Sequence, residues 1–437
     1  MPFQPGRGLP GERASRLGHL EVLESDLVKR LRESFEDPRP GPQPEQVAWD
    51  PLPVGGEPLR LIFAVDGSLQ VLEDEAPPYK SLAFVKTALL KIDQNKLSKT
   101  DKESPHPFAL RDLLADAAQY HATVFPLRNV SVSGTSNYDA VRQTIFESLR
   151  DPSLERQVLE TFKWMVYEQW DGAKKELPLF ECPHCERTVA TLPYNAEQGQ
   201  CRACGGHLFV TDMLGFHLDM GADSAPNTIA TTYMSVHETL LLFTGIRHFW
   251  ENNREMLRHS LFVKDGPLSI RAQYSKLVNP IRRFLVYARD HGYPIYIIGQ
   301  EKTGAFFDHL QLIGAAAPDG SFFIPGDKYV KEQIQHRPDR GAAYGKDTNY
   351  AAKVFVKLSD YHKMIINIPT GEFVIDPKEA DLLGADRIFA TLPTILSSRF
   401  EGALLPVELA HGLASLSTYP SAHILKIFSE LKGVGTK

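Results

Sequence analysis

Short apolar runs alternate along the chain with longer segments whose apolar residues recur at helical spacing, a pattern that predicts interleaved strands and helices. Strands are expected at residues 59–65, 81–90, 261–265 and 294–299, and at 352–358 and 363–368 as a hairpin through 359–362. Helical spacing covers residues 17–35, 108–117, 138–170, 231–259, 272–290, 407–416 and 422–431. Residues 71–80, with Glu73, Asp74 and Glu75, read as a wide hairpin or loop, and 91–107 and 332–347 as polar loops. No internal repeat breaks the alternation, so the fold class expected is α/β with a mixed sheet flanked by helices.

The boundaries follow from composition. Residues 1–58 form a helical arm ended by Asp37-Pro38-Arg39-Pro40-Gly41-Pro42 and a Pro-rich lead-in. The core is expected in two parts, 59–180 and 213–437, with a cysteine-bearing insertion at 181–212 between them.

Two of the expected strands run into an Asp-Gly pair: Phe63-Ala64-Val65-Asp66-Gly67-Ser68 and Leu261-Phe262-Val263-Lys264-Asp265-Gly266. The Gly lets the backbone turn sharply and leaves the carboxylate at the sheet's edge, where it can hold a metal ion. Either pair alone is also an ordinary turn dipeptide. Cleavage of a phosphodiester by two cations requires hard ligands around ions about 4 Å apart. Asp66 and Asp265 can supply two of these ligands, provided folding brings their oxygens within about 10 Å of each other. The helix before Asp265 offers Glu238, Glu251 and Glu255. Glu238 is preferred because its neighbours in Val236-His237-Glu238-Thr239-Leu240-Leu241 are largely apolar, whereas Glu251 and Glu255 lie in a polar stretch. Asp376 also ends an apolar run but precedes Pro377 and reads as a turn.

All four cysteines lie in Cys182-Pro183-His184-Cys185 and Cys201-Arg202-Ala203-Cys204. That spacing is a zinc ribbon: four thiolates of Cys182, Cys185, Cys201 and Cys204 fill a tetrahedron around a structural Zn²⁺ and leave no position for substrate. The ribbon's own contacts stay open among nucleic acid, a partner protein and the long helix that follows.

With 437 residues, 43% of them apolar, the chain can bury a large core. No stretch is long enough to span a membrane, and the start, Met1-Pro2-Phe3-Gln4-Pro5, lacks a signal pattern, so a cytoplasmic location without membrane association is expected. A net charge of −6 argues against bulk electrostatic coating of nucleic acid. Basic residues do cluster locally, at Arg258, Lys264, Arg271, Lys276, Arg282, Arg283 and Arg289, and again at Lys328, Lys331, Arg337, Arg340 and Lys346. Each cluster reads either as a groove or as a solvated helix face.

The motifs Ala64-Val65-Asp66-Gly67-Ser68, Val263-Lys264-Asp265-Gly266-Pro267-Leu268, Ile297-Ile298-Gly299-Gln300-Glu301-Lys302-Thr303 and Leu405-Pro406-Val407-Glu408-Leu409-Ala410-His411 together resemble the NurA nuclease family. The resemblance spans about residues 59–425. It implies a ribonuclease H-like fold in which Asp66, Glu238, Asp265 and His411 surround catalytic Mn²⁺ or Mg²⁺. It also implies a homodimer and partnership with a HerA-type hexameric ATPase on DNA. His411, alone more readily a core histidine, becomes on this basis a ligand or proton carrier. Lys302 reads either as a phosphate contact or as an ordinary strand-end lysine. The chain departs from the family where Ala403-Leu404-Leu405-Pro406 stands in place of a Tyr-Pro, and in its ribbon insertion.

The expected activity is a metal-dependent deoxyribonuclease processing DNA ends, in break repair or anti-phage defence. The alternative is a non-catalytic DNA-binding or adaptor subunit, and an RNA-directed nuclease ranks below both. The chain has no phosphate-binding loop of its own, so energy for translocation must come from a partner.

Overall fold

The computed structural model describes residues 22–35, 47–74, 76–94, 118–130, 132, 134–172, 177–221, 228–337, 341–416 and 420–429. The expected helix at 108–117 lies outside them, as do residues 1–21 of the arm and Arg340 of the second basic cluster. The chain divides into two compact units, residues 1–43 and 44–437. The first contains α1 (Asp26–Glu33), capped by the Ser25 side chain, which accepts from the Val28 N–H, and ended by a turn holding Arg30 and Arg32.

In the second unit the strands are β1 (Asp50–Pro51), β2 (Leu61–Glu73), β3 (Ser81–Asp93), β4 (Ala118–Arg128), β5 (Phe180–Glu181), β6 (Thr188–Ala190), β7 (Gln198–Gln200), β8 (His207–Phe209), β9 (Ser260–Asp265), β10 (Tyr296–Glu301), β11 (Ser321–Phe323), β12 (Ala352–Lys357) and β13 (Lys363–Ile368). The helices that matter here are α2 (Asn137–Leu149), α3 (Gln157–Val166), α4 (Thr228–Asn252), α5 (Val278–Asp290), α6 (Ala305–Ile313), α7 (Ala385–Thr391), α8 (Leu405–Ala414) and α9 (Ser421–Phe428).

Nine strands form one sheet in the order β1-β11-β12-β13-β10-β9-β2-β3-β4. The segment β4-β3-β2 is antiparallel, and β9 and β10 then continue parallel to β2. Three antiparallel strands followed by two parallel ones is the ribonuclease H-like order. The expected hairpin appears as β12 and β13, paired in register from Ala352 opposite Ile368 to Lys357 opposite Lys363.

Alternation along β2 decides what each face of the sheet meets. Phe63 and Val65 join a core built with α2, α3, α4 and α5, whereas Ile62 and Ala64 join a second core under α7 and α8. A third, smaller cluster packs Phe306, Leu310 and Ile313 of α6 on Phe355 and Ile365. Both sides of the central strands are covered, which is why they read as continuous apolar runs.

Several boundaries differ from the sequence reading. Strand β2 does not stop at Asp66-Gly67 but runs on to Glu73, so Val71–Glu73 pair with Ser81–Ala83 rather than forming a loop. The expected helix at 138–170 is two helices, α2 and α3, separated by a turn in which Glu155 and Arg156 take positive φ. Helix α4 begins at Thr228 and ends at Asn252, which places Glu238 in mid-helix, and a 3₁₀ segment, Arg254–His259, follows its end. Strand β4 was not foreseen. Among the described residues, no helix is long and apolar enough to cross a membrane.

Candidate metal centre and zinc ribbon

Parity along β2 sends Asp66 to the face carrying α8, while Gly67 faces α4. Strand β9, parallel to β2, ends beside it at Asp265. There the chain turns through Gly266, whose φ of +93° is open to glycine and whose N–H donates to the Gln300 carbonyl at 2.7 Å. The turn passes so close to Gly299 that a Cβ there would meet the Gly266 carbonyl at 2.6 Å.

Helix α8 delivers the third group. Gln300 is buried and donates to the Gly402 carbonyl while accepting from the Leu404 N–H, fixing the entry to the helix. At the other end Lys86 Nζ donates to the Leu413 carbonyl at 2.6 Å, and Ser68 Oγ accepts from the Leu416 N–H at 3.0 Å. Ser68 and Lys86 were not singled out in the sequence, because nothing local marks a strand residue as an anchor for a helix more than three hundred positions away.

The result is that ligand atoms of Asp66, Asp265 and His411 all lie within 4.8 Å of one another. His411 Nδ1 is 2.8 Å from Asp66 Oδ2, with the imidazole 60% exposed and the carboxylate only 7%. Lys302 Nζ sits 3.0 Å from Asp265 Oδ2. Burial, and after it the nearby charge of Asp265, raises the Asp66 pKa, against the opposing effects of the Gly67 N–H and His411. Two close carboxylates and an imidazole form a set of hard donors with a deficit of positive charge, and a divalent cation fits it.

Glu238 stands apart from these three. It lies under Gly67 on the α4 side, buried, with Oε2 2.7 Å from Lys264 Nζ. Burial pushes its pKa up to about 7; the Lys264 ammonium opposes this, and Asp66 and Asp265 add to it. Lys264 is itself held above its usual value, since attraction to Glu238 outweighs the burial that would lower it. The sequence reading had placed Lys264 in a basic patch; it is instead the buried counterion of Glu238. Glu251 pairs with Arg247 at 3.5 Å and Glu255 with Arg258 at 3.6 Å, and neither joins the cluster.

Most of the first basic patch is likewise taken up in pairings. Arg282 donates to the Asn349 carbonyl, Arg283 pairs with Glu168, and Arg289 pairs with Asp290. Asp376 lies in a bend, and its Oδ1 accepts from the Asp327 N–H at 2.8 Å.

The second cluster is formed by Cys182, Cys185, Cys201 and Cys204. Two equivalent knuckles build it: Glu186 N–H donates to the Cys182 carbonyl and Gly205 N–H to the Cys201 carbonyl, and both donors take positive φ, +58° and +75°. The His184 and Gly206 N–H groups point at Cys182 and Cys204 Sγ, each at 3.4 Å. Four thiols so arranged fit a zinc ribbon. It braces α2 rather than the long helix after it: Tyr138 donates to the Pro183 carbonyl, and buried Arg142 holds the His207 carbonyl and both oxygens of Asp212.

Fold and site together define an α/β protein with a large mixed sheet, a four-cysteine cluster that fits a zinc ribbon and a candidate divalent-cation centre. Three solved structures align with it: NurA, at 10% identity, covering 97% of this chain and 98% of that one with a TM-score of 0.28; NurA bound to dAMP and manganese, at 11%, 97%, 98% and 0.28; and NurA with manganese, at 12%, 97%, 97% and 0.27. No family model and no curated protein matches the sequence.

Proposed function

We propose that the chain is a divalent-metal-dependent deoxyribonuclease that acts at the Asp66–Asp265–His411 cluster. The observation that carries this reading is the convergence of those three side chains, from two parallel strands and one helix of a ribonuclease H-like sheet, to within 4.8 Å. Asp66 and Asp265 would hold Mn²⁺ or Mg²⁺, which when bound supplies Lewis-acid polarisation of the phosphate and a water activated at neutral pH.

The protein's own groups do the rest. Asp66 accepts from His411 Nδ1–H and so orients the ring with Nε2 as its basic atom. His411, on the exposed rim, would exchange a proton at Nε2 with the leaving 3′ oxygen. Lys302 holds Asp265 in the free protein and offers a point charge to a phosphate that enters beside it. Glu238 lies beneath the sheet with its charge matched by Lys264, and in this reading it reaches an ion only by giving up Lys264.

The resemblance in sequence supports DNA as substrate, a homodimer as the assembly and a HerA-type hexameric ATPase as partner. Linear single- and double-stranded DNA incubated with Mn²⁺ should be degraded by wild type, and Asp66→Ala should lower the rate by at least about 100-fold. Equal products from both proteins would end the nuclease reading. Co-elution with a HerA-type ATPase in size-exclusion chromatography tests the partnership separately.

A further inference from the structure

Lys264 is the cation left behind if Glu238 is to reach an ion beside Asp66 and Asp265. Its ammonium has three protons to place, and Glu238 Oε2 at 2.7 Å and the Asp265 carbonyl at 3.1 Å accept two of them. The side chain is only 3% exposed, so bulk water does not replace the carboxylate when it leaves. A buried charge stripped of its partner is costly, and the exchange is open only where a second acceptor stands close by.

Tyr350 supplies that acceptor. Its backbone N–H donates to the Leu268 carbonyl at 3.1 Å, and the Leu268 N–H donates to Asn367 Oδ1 at 3.4 Å, which fixes the residue just beyond the Asp265–Gly266 turn. The ring is 1% exposed and packs in the core on the α4 side of the sheet. Its hydroxyl has no hydrogen-bond partner, which is rare for a buried polar group. The Thr239 hydroxyl faces it without meeting hydrogen-bond geometry and already donates to the Ser235 carbonyl at 3.0 Å. The Lys264 ammonium and the Tyr350 hydroxyl are close enough to act on each other electrostatically. A phenol oxygen accepts as well as donates, which is the chemistry a displaced ammonium needs.

We propose that Tyr350 is a positioning residue for the metal centre: its hydroxyl takes over Lys264 when Glu238 turns from that lysine to the ion. This rests on the metal-centre reading and adds the step by which Glu238 joins it. One hydrogen bond is exchanged for another, and no proton changes owner. Lys264 is then held by the Asp265 carbonyl and the Tyr350 oxygen, so its charge is not left bare.

Calorimetric Mn²⁺ titration of the full zinc-loaded chain, beside urea unfolding of the protein without Mn²⁺, tests this. Tyr350→Phe removes the hydroxyl and keeps the ring. It should weaken Mn²⁺ binding at least about ten-fold, as loss of a hydrogen bond to a charged group does. The urea midpoint without Mn²⁺ should stay at or above that of wild type, since the lost hydroxyl had no partner. In a Glu238→Gln background, where no carboxylate leaves Lys264, adding Tyr350→Phe should not change Mn²⁺ affinity. Wild-type affinity in Tyr350→Phe overturns the inference and leaves the metal centre standing. A lowered midpoint with unchanged Mn²⁺ affinity overturns it too, by making the hydroxyl a structural partner of Thr239. Equal weakening with and without the Glu238 carboxylate overturns it as well. A wild type that binds no Mn²⁺ ends the metal-centre reading itself, and this inference with it.

Discussion

His411 Nδ1 lies 2.8 Å from Asp66 Oδ2, although 345 positions separate the two residues. The contact joins the middle of a core strand to a helix near the chain's end, and it leaves Asp66 with a raised pKa because burial and the charge of Asp265 outweigh the help that His411 gives.

Asp265→Asn should therefore separate stability from function. Removing one charge relieves the strain on Asp66, and the metal-free variant should be more stable than wild type. The lost ion pair with Lys302 is partly exposed and takes little away. Mn²⁺ should raise the melting temperature of wild type and leave that of the variant unmoved. Equal Mn²⁺ stabilisation of both proteins would remove Asp265 from the site.

Lys264 and Glu238 form a buried pair, both side chains at most 5% exposed. Lys264→Met leaves a carboxylate among apolar groups, and such half-broken pairs cost about 3–5 kcal/mol. Replacing both, as Glu238→Leu with Lys264→Met, should recover most of that loss, because the desolvation of both ions is then avoided. Urea unfolding of the single and double variants measures the difference.

The same pair sets a pH dependence. Glu238 titrates near 7 in the folded protein and near 4.5 when unfolded, so between those values the folded state binds the extra proton. Stability contributed by protonated Glu238 is full below about pH 4.5 and is lost as pH rises through 7, a change of about 3 kcal/mol. Unfolding free energies of metal-free protein at pH 5 and pH 8 should show this fall, and Glu238→Gln should flatten it. A wild-type curve that rises over this range would mean that Lys264 holds the carboxylate ionised throughout.

Much of this was legible in the sequence where a local rule governs. The cysteine spacing specified the ribbon because two knuckles need only a few residues each to set their own geometry. Continuous apolar runs marked β9, β10 and β2, since strands covered on both faces need no alternation. Asp66-Gly67 misled for a physical reason: the pair looks like a turn, yet Gly67 sits within a thirteen-residue strand and is small to admit α4, not to bend. Lys264 misled because charge in a sequence does not say whether its partner waits across the sheet. Ser68 and Lys86, which hold the end of α8, act wholly through tertiary contact and leave no signature.

The two Asp-Gly glycines should consequently respond differently to the same substitution. At Gly67 a Cβ would meet Glu238 Oε1 at 2.5 Å and Met234 Cγ at 2.6 Å, so Gly67→Ala pushes α4 or the glutamate away from the sheet. Overpacking of this kind costs about 1–3 kcal/mol. At Gly266 the nearest atom a Cβ would meet is Lys264 Nζ at 3.8 Å, which is ordinary contact; its φ of +93° is the obstacle instead. Gly266→Ala should cost about 1–2 kcal/mol through backbone strain alone. A second change discriminates the causes: shortening Met234 to Ala frees space under Gly67 and should reduce the penalty of Gly67→Ala while leaving that of Gly266→Ala as it was. Denaturant unfolding of the two glycine variants with and without Met234→Ala measures the coupling, and equal coupling at both positions would refute the assignment of Gly67 to packing and Gly266 to conformation.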